Sequence, residues 1–398
     1  MRKKRAAKMG FKIKILIQLS DNNRRNQMIY LDYNATTPID PEVYHAMKTY
    51  FENQFGNPSN TYDLGKSAKA AVERAREQVA NFIGAKPHEI TFTSCGSESN
   101  NTVIKGVAYK NAFKGKHIIT SVIEHPAIME PLKFLEKNGF DVSYVPVDQY
   151  GAVHVEDVKN AMREDTILVS IMHSNNEVGT LQPIQEIGRC CKERGILFHT
   201  DASQSMGKVP IDVNQLHVDF LTIAGHKLYA PKGIGALYIR EGAQLEQLLH
   251  GARQEKGLRA GTENVPYDVA LGTAAEIASR HLQDNTLFQL KEYFYHQLEN
   301  AFGDKIHLNG DFINSLPNTL NISFIGESGS DILNSIPEIN ASTGSACHSG
   351  EKTISPVLAA MGVDPEIAYG AIRFSVGRFT TKDEIDQTVE ELKKLLFK

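Results

Sequence analysis

Short apolar runs alternate with amphipathic stretches through the middle of the chain. The strand-like runs are HIITSV, DVSYVPV, TILVSIM and ILFHT, and the helix-like stretches lie near 127–138, 154–164 and 183–194. Alternation of this kind predicts β-α-β crossovers, which build a mainly parallel sheet covered by helices on both faces. Ligands of such α/β sheets bind beyond the C-terminal ends of the strands, so the residues that follow each strand are the first candidates for a site.

Helical patterns flank this central region. A helix is predicted from Asp40-Pro41 to about Asn53, because proline suits the first turn of a helix. A long amphipathic helix is predicted over Leu64–Ile83 and ends before Gly84. Residues 265–300 have a helical pattern, a new strand-turn pattern follows, and the last predicted helix covers Lys382–Leu396.

These patterns divide the chain into three predicted parts. Residues 1–27 form a basic extension with nine Lys and Arg against one acid, Asp21. We interpret the extension as a disordered tail or an upstream start, since Met28 begins MIYLDYNATTP as a first residue would, with a mitochondrial presequence as the alternative. Residues 28–264 are predicted to form a large α/β domain whose first residues contact a smaller α+β domain, 265–398.

Composition narrows the class of protein. The 398 residues are 41% hydrophobic and 23% charged, which is typical of a folded globular chain. The net charge of −4 argues against nucleic-acid binding, and no apolar run is long enough to cross a membrane. The four cysteines, at positions 95, 190, 191 and 347, show no metal-ligand spacing, so we expect no metal and a reducing, cytoplasmic compartment.

Polar residues cluster where the predicted strands end. The clusters are Ser94–Ser97, Glu124-His125, Asn175–Glu177, Asp201–Gln204 and His226-Lys227. Because the carboxyl ends of parallel strands meet at one edge of a sheet, these clusters are predicted to form one site. Scattered structural roles would not place them all on the same edge.

Asp201 and Lys227 suit the needs of pyridoxal 5'-phosphate (PLP). Asp201 ends one predicted strand, and Lys227 lies just past the end of the next. PLP needs a lysine amine for its Schiff base and an acid that keeps its pyridinium nitrogen protonated. Alternatively, Asp201 caps a helix and Lys227 is a solvated loop lysine.

Two segments are candidates for binding a phosphate. Small and hydroxyl residues over Ser94–Asn100 follow the strand EITFT and precede a helix, where free backbone N–H groups attract anions. The alternative is an ordinary helix N-cap with a pattern that resembles a capping box. The glycine- and arginine-rich loop Gly251–Glu263 is a second source of donors, or else a flexible connector.

Cys347 and Arg373 are candidates for acting on the substrate. Cys347 lies among small and hydroxyl residues in ASTGSACHSG, which suits an accessible nucleophile better than a buried structural cysteine. Arg373 lies in the strand-like run AIRFS, where a guanidinium needs a partner. A substrate carboxylate would pair with both of its nitrogens, and an Asp or Glu of the protein itself is the alternative.

Taken together, the motifs resemble those of the cysteine desulfurases of the class V aminotransferase family, PLP enzymes of fold type I. The resemblance covers the chain from about Met28 to its end. It is carried by YLDYNATTP, FGNPS, EITFTSCGSESNN, EHPAI, SIMHSNNEVGTLQPI, HTDASQSMGK, GHKLYAPKGIGALYIR, RAGTEN, GSACHSG and IRFSVGRFTT. The implied fold is α/β, a mainly parallel central sheet with a smaller α+β C-terminal domain.

The resemblance implies a role for each residue around the cofactor ring. Lys227 would form the Schiff base with PLP, and Asp201 would pair with the pyridine nitrogen. His125 would stack on the ring and take part in proton transfer. Asn176 and Gln204 would contact the phenolic oxygen of the ring.

The resemblance also implies how the phosphate of PLP is held. Gly96, Ser97 and His226 would bind it, together with Thr262 of the partner subunit. The implied assembly is therefore a homodimer with a site at the subunit boundary.

On the substrate side, Arg373 and Asn34 would bind the amino acid, and Cys347 would attack its sulfur. L-cysteine would become L-alanine, and the sulfur would remain on Cys347 as a persulfide for an acceptor such as an iron-sulfur scaffold protein. The run CHSG followed by SPVL also resembles selenocysteine lyases, which makes L-selenocysteine an alternative substrate. A class V aminotransferase and a non-catalytic scaffold are the remaining alternatives.

Overall fold

The computed structural model describes residues 28–343 and 354–397, so the basic extension and Cys347 lie outside the described residues. Its strands are β1 Ile29–Tyr30, β2 Ile90–Thr93, β3 His117–Ser121, β4 Asp141–Val145, β5 Thr166–Ser170, β6 Leu197–Asp201, β7 Phe220–Ala224, β8 Gly235–Ile239, β9 Ile306–Leu308, β10 Thr319–Phe324, β11 Ile339–Asn340 and β12 Ala371–Ser375. Its α-helices are α1 Pro41–Glu52, α2 Asp63–Phe82, α3 Gly96–Asn111, α4 Pro126–Glu136, α5 Val155–Ala161, α6 Ile184–Arg194, α7 Val265–His281, α8 Thr286–Phe302, α9 Gly329–Ser335, α10 Pro356–Ala360, α11 Pro365–Ala368 and α12 Lys382–Leu396. None of these helices has the length and apolar character needed to cross a bilayer.

The central element is a sheet of seven strands in the order β2-β8-β7-β6-β5-β3-β4. Every neighbouring pair is parallel except those of β8, which runs antiparallel to both β2 and β7. Successive side chains of a strand point to opposite faces, so Ile118 and Ile119 join different hydrophobic clusters. The predicted mainly parallel sheet with two covered faces is confirmed.

Helix starts follow the local signals in the sequence. The helix predicted after Asp40 is α1, and Asp40 caps it because its Oδ1 accepts a hydrogen bond from the Glu42 N–H at 2.8 Å. The amphipathic helix predicted over Leu64–Ile83 is α2, and Gly84 follows it with a φ of +69°. Both predictions are confirmed within one residue at each end.

A second, smaller core surrounds the antiparallel sheet β12-β10-β9. Phe294 of α8 packs edge-on against Phe374 of β12, with ring centroids 5.1 Å apart. The first described residues join this core, because Ile29 and Leu31 are buried in it and β1 pairs in parallel with β11. The start of the described chain is thus tied to the C-terminal part.

The helical stretch predicted over 265–300 is two helices. The chain breaks between α7 and α8, where the Asp284 carboxylate accepts a hydrogen bond from the Thr286 N–H at 3.0 Å. The helix α7 packs in the core of the large sheet, whereas α8 packs in the smaller core. The packing of α7 is close, because a Cβ added to Gly272 would lie 2.6 Å from the Cα of Ala75. The domain division at residue 264 stays a prediction, and this packing favours a division at the break instead.

Candidate active site

The C-terminal ends of the central strands surround a cavity of about 200 Å³. Loops and helix starts that follow β2, β3, β5, β6 and β7 supply its walls. It brings together the predicted residues Gly96, Ser97, His125, Asn176, Asp201, Gln204, His226 and Lys227. The strand-end clusters therefore meet at one edge of the sheet, as the alternating pattern predicts.

Lys227 ends a single 3-10 turn, Gly225–Lys227, directly after β7. A Cβ at Gly225 would lie 2.8 Å from the backbone oxygen of Ile234, so only glycine fits this close turn. Burial lowers the pKa of Lys227 to about 8; Asp201 opposes this shift and Arg373 adds to it. A neutral amine is therefore accessible near neutral pH, which is what a lysine nucleophile requires.

Asp201 ends β6 and is held by two hydrogen bonds. Its Oδ2 accepts from the side-chain amide of Asn100 at 2.7 Å, and its Oδ1 accepts from the Ser203 N–H at 2.9 Å. Burial opposes ionisation, but these bonds and Lys227 hold the pKa of Asp201 below its ordinary value. The buried carboxylate stays charged and suits a protonated ring nitrogen. The sequence places Asn100 in a candidate phosphate-binding segment, and its contact with Asp201 was missed; Asn100 lies one helical turn beyond Gly96.

The helix α3 begins at the cavity without a side-chain cap. Cys95 occupies the N-cap position in extended conformation, and its side chain accepts no hydrogen bond from the first turn. A Cβ at Gly96 would lie 3.1 Å from the Oγ of Ser203, so glycine keeps this corner open. The unpaired N–H groups and the positive end of the helix dipole make the corner suitable for an anion.

The loop 251–263 reaches the same helix through Arg259. Its Nε donates to Glu98 at 2.9 Å. Burial opposes ionisation of Glu98, but the hydrogen bonds from Arg259 and Ser94 hold its pKa below the ordinary value. Thr262 is exposed and does not line the cavity of its own chain. Its predicted contact with a phosphate in the partner subunit stays a prediction.

His125 precedes α4 and caps it. Its Nδ1 accepts a hydrogen bond from the Ala127 N–H at 3.1 Å, so in the neutral ring the proton is assigned to Nε2. Desolvation by the surrounding protein and the nearby Lys227 both lower the pKa of His125, with Asp201 opposing. The ring is thus a neutral hydrogen-bond donor at the cavity.

His226 is also neutral near pH 7. Burial, with the charges of Lys227 and Lys232, lowers its pKa to about 4. Its Nδ1 lies 3.1 Å from the Thr36 hydroxyl, and its backbone oxygen accepts from the Thr37 N–H at 2.9 Å. These contacts tie the loop after β1 to the loop that carries Lys227.

A half-buried lysine, Lys208, which our sequence reasoning missed, contacts two amide side chains. Lys208 Nζ donates to Asn34 Oδ1 at 2.9 Å and to Gln204 Oε1 at 3.2 Å. The Gln204 amide nitrogen donates to the backbone oxygen of Asn34 at 2.9 Å. The only sequence signal is that Lys208 lies four residues after Gln204 in an irregular turn.

Asn34 does not line the cavity. Its side-chain nitrogen donates to Thr319 Oγ1 at 2.8 Å, and its side-chain oxygen also accepts from Asn318 at 3.1 Å. The predicted substrate contact of Asn34 would therefore require one of these internal bonds to be exchanged, and it stays a prediction.

Arg373 pairs with an acid of the protein itself. One of its terminal nitrogens donates to Asp32 Oδ1 at 2.6 Å, and the other donates to the backbone oxygen of Asn176 at 2.8 Å. This is the alternative that the sequence left open for Arg373. The side chain belongs to β12 of the smaller sheet, and Arg373, like Asn34, does not line the cavity. Its predicted contact with a substrate carboxylate stays a prediction.

Known proteins are similar to this chain over most of its length. The family model described as "Aminotransferase class-V" matches residues 29–388. The cysteine desulfurase IscS of Dictyoglomus turgidum is 48% identical over 374 residues, which cover 93% of this chain and 95% of that protein. A solved NifS-like protein has a TM-score of 0.87 at 40% identity, covering 93% of this chain and 99% of its own. SspA, solved in complex with cysteine, has a TM-score of 0.79 at 39% identity, covering 88% and 99%.

Proposed function

The chain belongs to the class V aminotransferase family, and from this premise we propose that it works as a cysteine desulfurase. The reaction converts L-cysteine to L-alanine and leaves the sulfur on a cysteine of the enzyme. The observation that carries the proposal is that Lys227, whose amine has a lowered pKa, and the charged Asp201 line one cavity, which also receives the uncapped start of α3.

The residues of the cavity fit PLP. Asp201 supplies the carboxylate for the ring nitrogen, and Lys227 supplies the amine. The open corner at Gly96, with the N–H groups of α3, suits a phosphate dianion. When bound, PLP supplies an electron sink for the pair released at the substrate α-carbon.

Each nearby side chain has a proposed task in the reaction. Arg373 orients the substrate through its carboxylate. The neutral form of Lys227 accepts the α-proton at Nζ and returns it later. His125 donates a hydrogen bond from Nε2, because its Nδ1 is committed to the start of α4. Gln204 presents an amide N–H, since its oxygen already accepts from Lys208.

Sulfur transfer is assigned to Cys347, which lies outside the described residues. Its thiolate attacks the substrate sulfur, so that a sulfur–sulfur bond forms while the bond between that sulfur and the β-carbon breaks. The electron pair of the broken bond stays on the substrate carbon, which takes up a proton and leaves as alanine. A persulfide remains on the enzyme.

The proposed partners follow from this product. A persulfide passes its outer sulfur to an acceptor protein, for which an iron-sulfur scaffold is the proposed class. The proposed compartment is the cytoplasm, since Cys95, Cys190 and Cys191 are free thiols, as expected in a reducing environment. Thr262 is exposed on its own chain, which suits the proposed homodimer in which it reaches the partner's phosphate.

The experiment measures alanine formed from L-cysteine and from L-selenocysteine. We expect both substrates to react, Lys227→Ala to abolish both reactions, and Cys347→Ala to abolish only the reaction of cysteine. Cys190→Ala is the matched control, because Cys190 lies on α6 away from the cavity. Turnover of selenocysteine alone would identify a selenocysteine lyase, and amino transfer to a keto acid without Cys347 would identify an aminotransferase.

A further inference from the structure

The guanidinium expected to bind the substrate carboxylate already has a carboxylate partner. Asp32 Oδ1 lies 2.6 Å from a terminal nitrogen of Arg373, and the two side chains are 19% and 6% exposed. Within the described part of the chain, the Arg373 Nε is buried without a hydrogen-bond partner. Each terminal nitrogen of Arg373 also carries a second N–H besides the one given to Asp32 or to the backbone oxygen of Asn176, so the guanidinium keeps donor capacity for a ligand.

The backbone fixes the position of this pair. Asp32 forms a parallel bridge with Ser375, two residues beyond Arg373 on β12. The Ser375 N–H donates to the backbone oxygen of Leu31 at 2.7 Å, and the Tyr33 N–H donates to that of Ser375 at 3.3 Å. These hydrogen bonds on both sides of Asp32 hold its backbone beside β12, so its carboxylate is carried close to Arg373.

Asp32 also lies within the electrostatic reach of the cavity. Burial raises its pKa, while Arg373 and, to a smaller extent, Lys227 oppose the shift. The carboxylate is thus close enough to sense the amine of Lys227. A second carboxylate that enters to bind Arg373 meets the negative charge of Asp32, and like charges at short range in a partly buried site repel strongly.

We propose that Asp32 is a positioning residue that sets the affinity of the carboxylate subsite: it is the counter-ion of Arg373, and the carboxylate of the substrate must compete with it for the guanidinium. This proposal rests on the proposed function. The resident charge weakens the binding of amino acids through their carboxylates, and it does so equally for substrate and product. Alanine is therefore released readily after the sulfur has left.

The test is Asp32→Asn, in which an amide oxygen still accepts from Arg373 but the charge is gone. The dissociation constant of L-alanine is measured on the PLP-loaded enzyme by absorbance titration at fixed salt and pH. We expect this dissociation constant to fall roughly tenfold in Asp32→Asn, because the repulsion between the carboxylates of Asp32 and alanine is removed. For L-alaninamide, which has no carboxylate, we expect no such gain.

The matched control is Asp40→Asn. Asp40 pairs with Arg378 at 2.9 Å with comparable burial, 11% and 17% exposed, and asparagine also caps a helix well. We expect this variant to bind alanine as the unmodified enzyme does. In steady state, Asp32→Asn should lower the KM for cysteine without raising kcat, whereas a purely structural role would not separate alanine from alaninamide.

Failures of the two proposals give different results. If Arg373→Gln does not weaken alanine binding, Arg373 is not the carboxylate site and the proposed binding mode is wrong. If Arg373→Gln weakens binding but Asp32→Asn leaves it unchanged or weaker, Arg373 keeps its role and Asp32 is not a competing counter-ion.

Discussion

The amine of Lys227 should capture PLP with a pH dependence displaced far below that of an ordinary lysine. Its pKa is lowered from 10.5 to about 8, chiefly by burial, with Asp201 opposing and Arg373 adding to the shift. At pH 7 the neutral fraction is then about a tenth instead of about 0.03%, a gain of roughly 300-fold in reactive amine.

The assay mixes the PLP-free chain with PLP in a stopped-flow instrument from pH 6 to pH 10 and follows the visible absorbance of the bound cofactor. We expect the rate constant to rise about tenfold per pH unit below pH 8 and to level off above it. Free PLP with butylamine, measured at the same pH values, corrects for ionisations of PLP itself. Lys227→Ala should show no slow rise in absorbance.

The same shift has a consequence for stability. Between about pH 8 and 10.5 the unfolded chain holds the proton of Lys227 and the folded chain does not, so the free energy of unfolding of the PLP-free chain rises with pH in this window. The contribution from Lys227 is about 3 kcal/mol across the window. A capture rate that still climbs tenfold per unit between pH 9 and 10 would refute the lowered pKa and the burial argument behind it.

Two further substitutions test other parts of the site. Gly96→Ala places a Cβ 3.1 Å from Ser203 Oγ, in the open corner at the start of α3. We expect the affinity for PLP, measured by fluorescence quenching, to fall about tenfold. The melting temperature of the PLP-free chain should change little. Lys208→Met frees the Gln204 oxygen and should shift the visible band of the bound cofactor. The control is Lys291→Met, which removes a buried lysine that, like Lys208, donates only to uncharged oxygens, and it should leave the band unchanged. Equal shifts in both variants would contradict a specific role for Lys208.

The sequence predicted correctly which residues lie together at the ends of the parallel strands. Strands of one parallel sheet end at the same edge, so residues after separate strands, such as His125, Asp201 and Lys227, could be assigned to one cavity without knowing a single side-chain contact. The starts of helices could also be predicted from the sequence, since the signal at Asp40-Pro41 depends on neighbouring residues alone.

Contacts between segments far apart in the sequence could not be predicted. Asp32 and Arg373 are 341 positions apart, and they meet because β12 aligns with the segment after β1. Lys208 and Asn34 are 174 positions apart and meet in an irregular turn. Pairing between distant segments is set by the packing of the two cores, which hydrophobic periodicity does not specify. The break between α7 and α8 was missed for a different reason, because Asp284 can occupy a turn as well as a helix.

The charges around the cavity indicate how an anion would be held. Burial lowers the pKa of Lys208 well below its ordinary value, and His226 is neutral with a pKa of about 4. Arg373 is paired with Asp32, and Lys227 is close to the charged Asp201. The described residues therefore offer little free positive charge at the open corner beside Gly96, where α3 begins. A phosphate placed there would depend on the N–H groups and the dipole of α3, and these act only at short range. For this reason the open corner at the start of α3 matters more to cofactor binding than the net charge of the cavity.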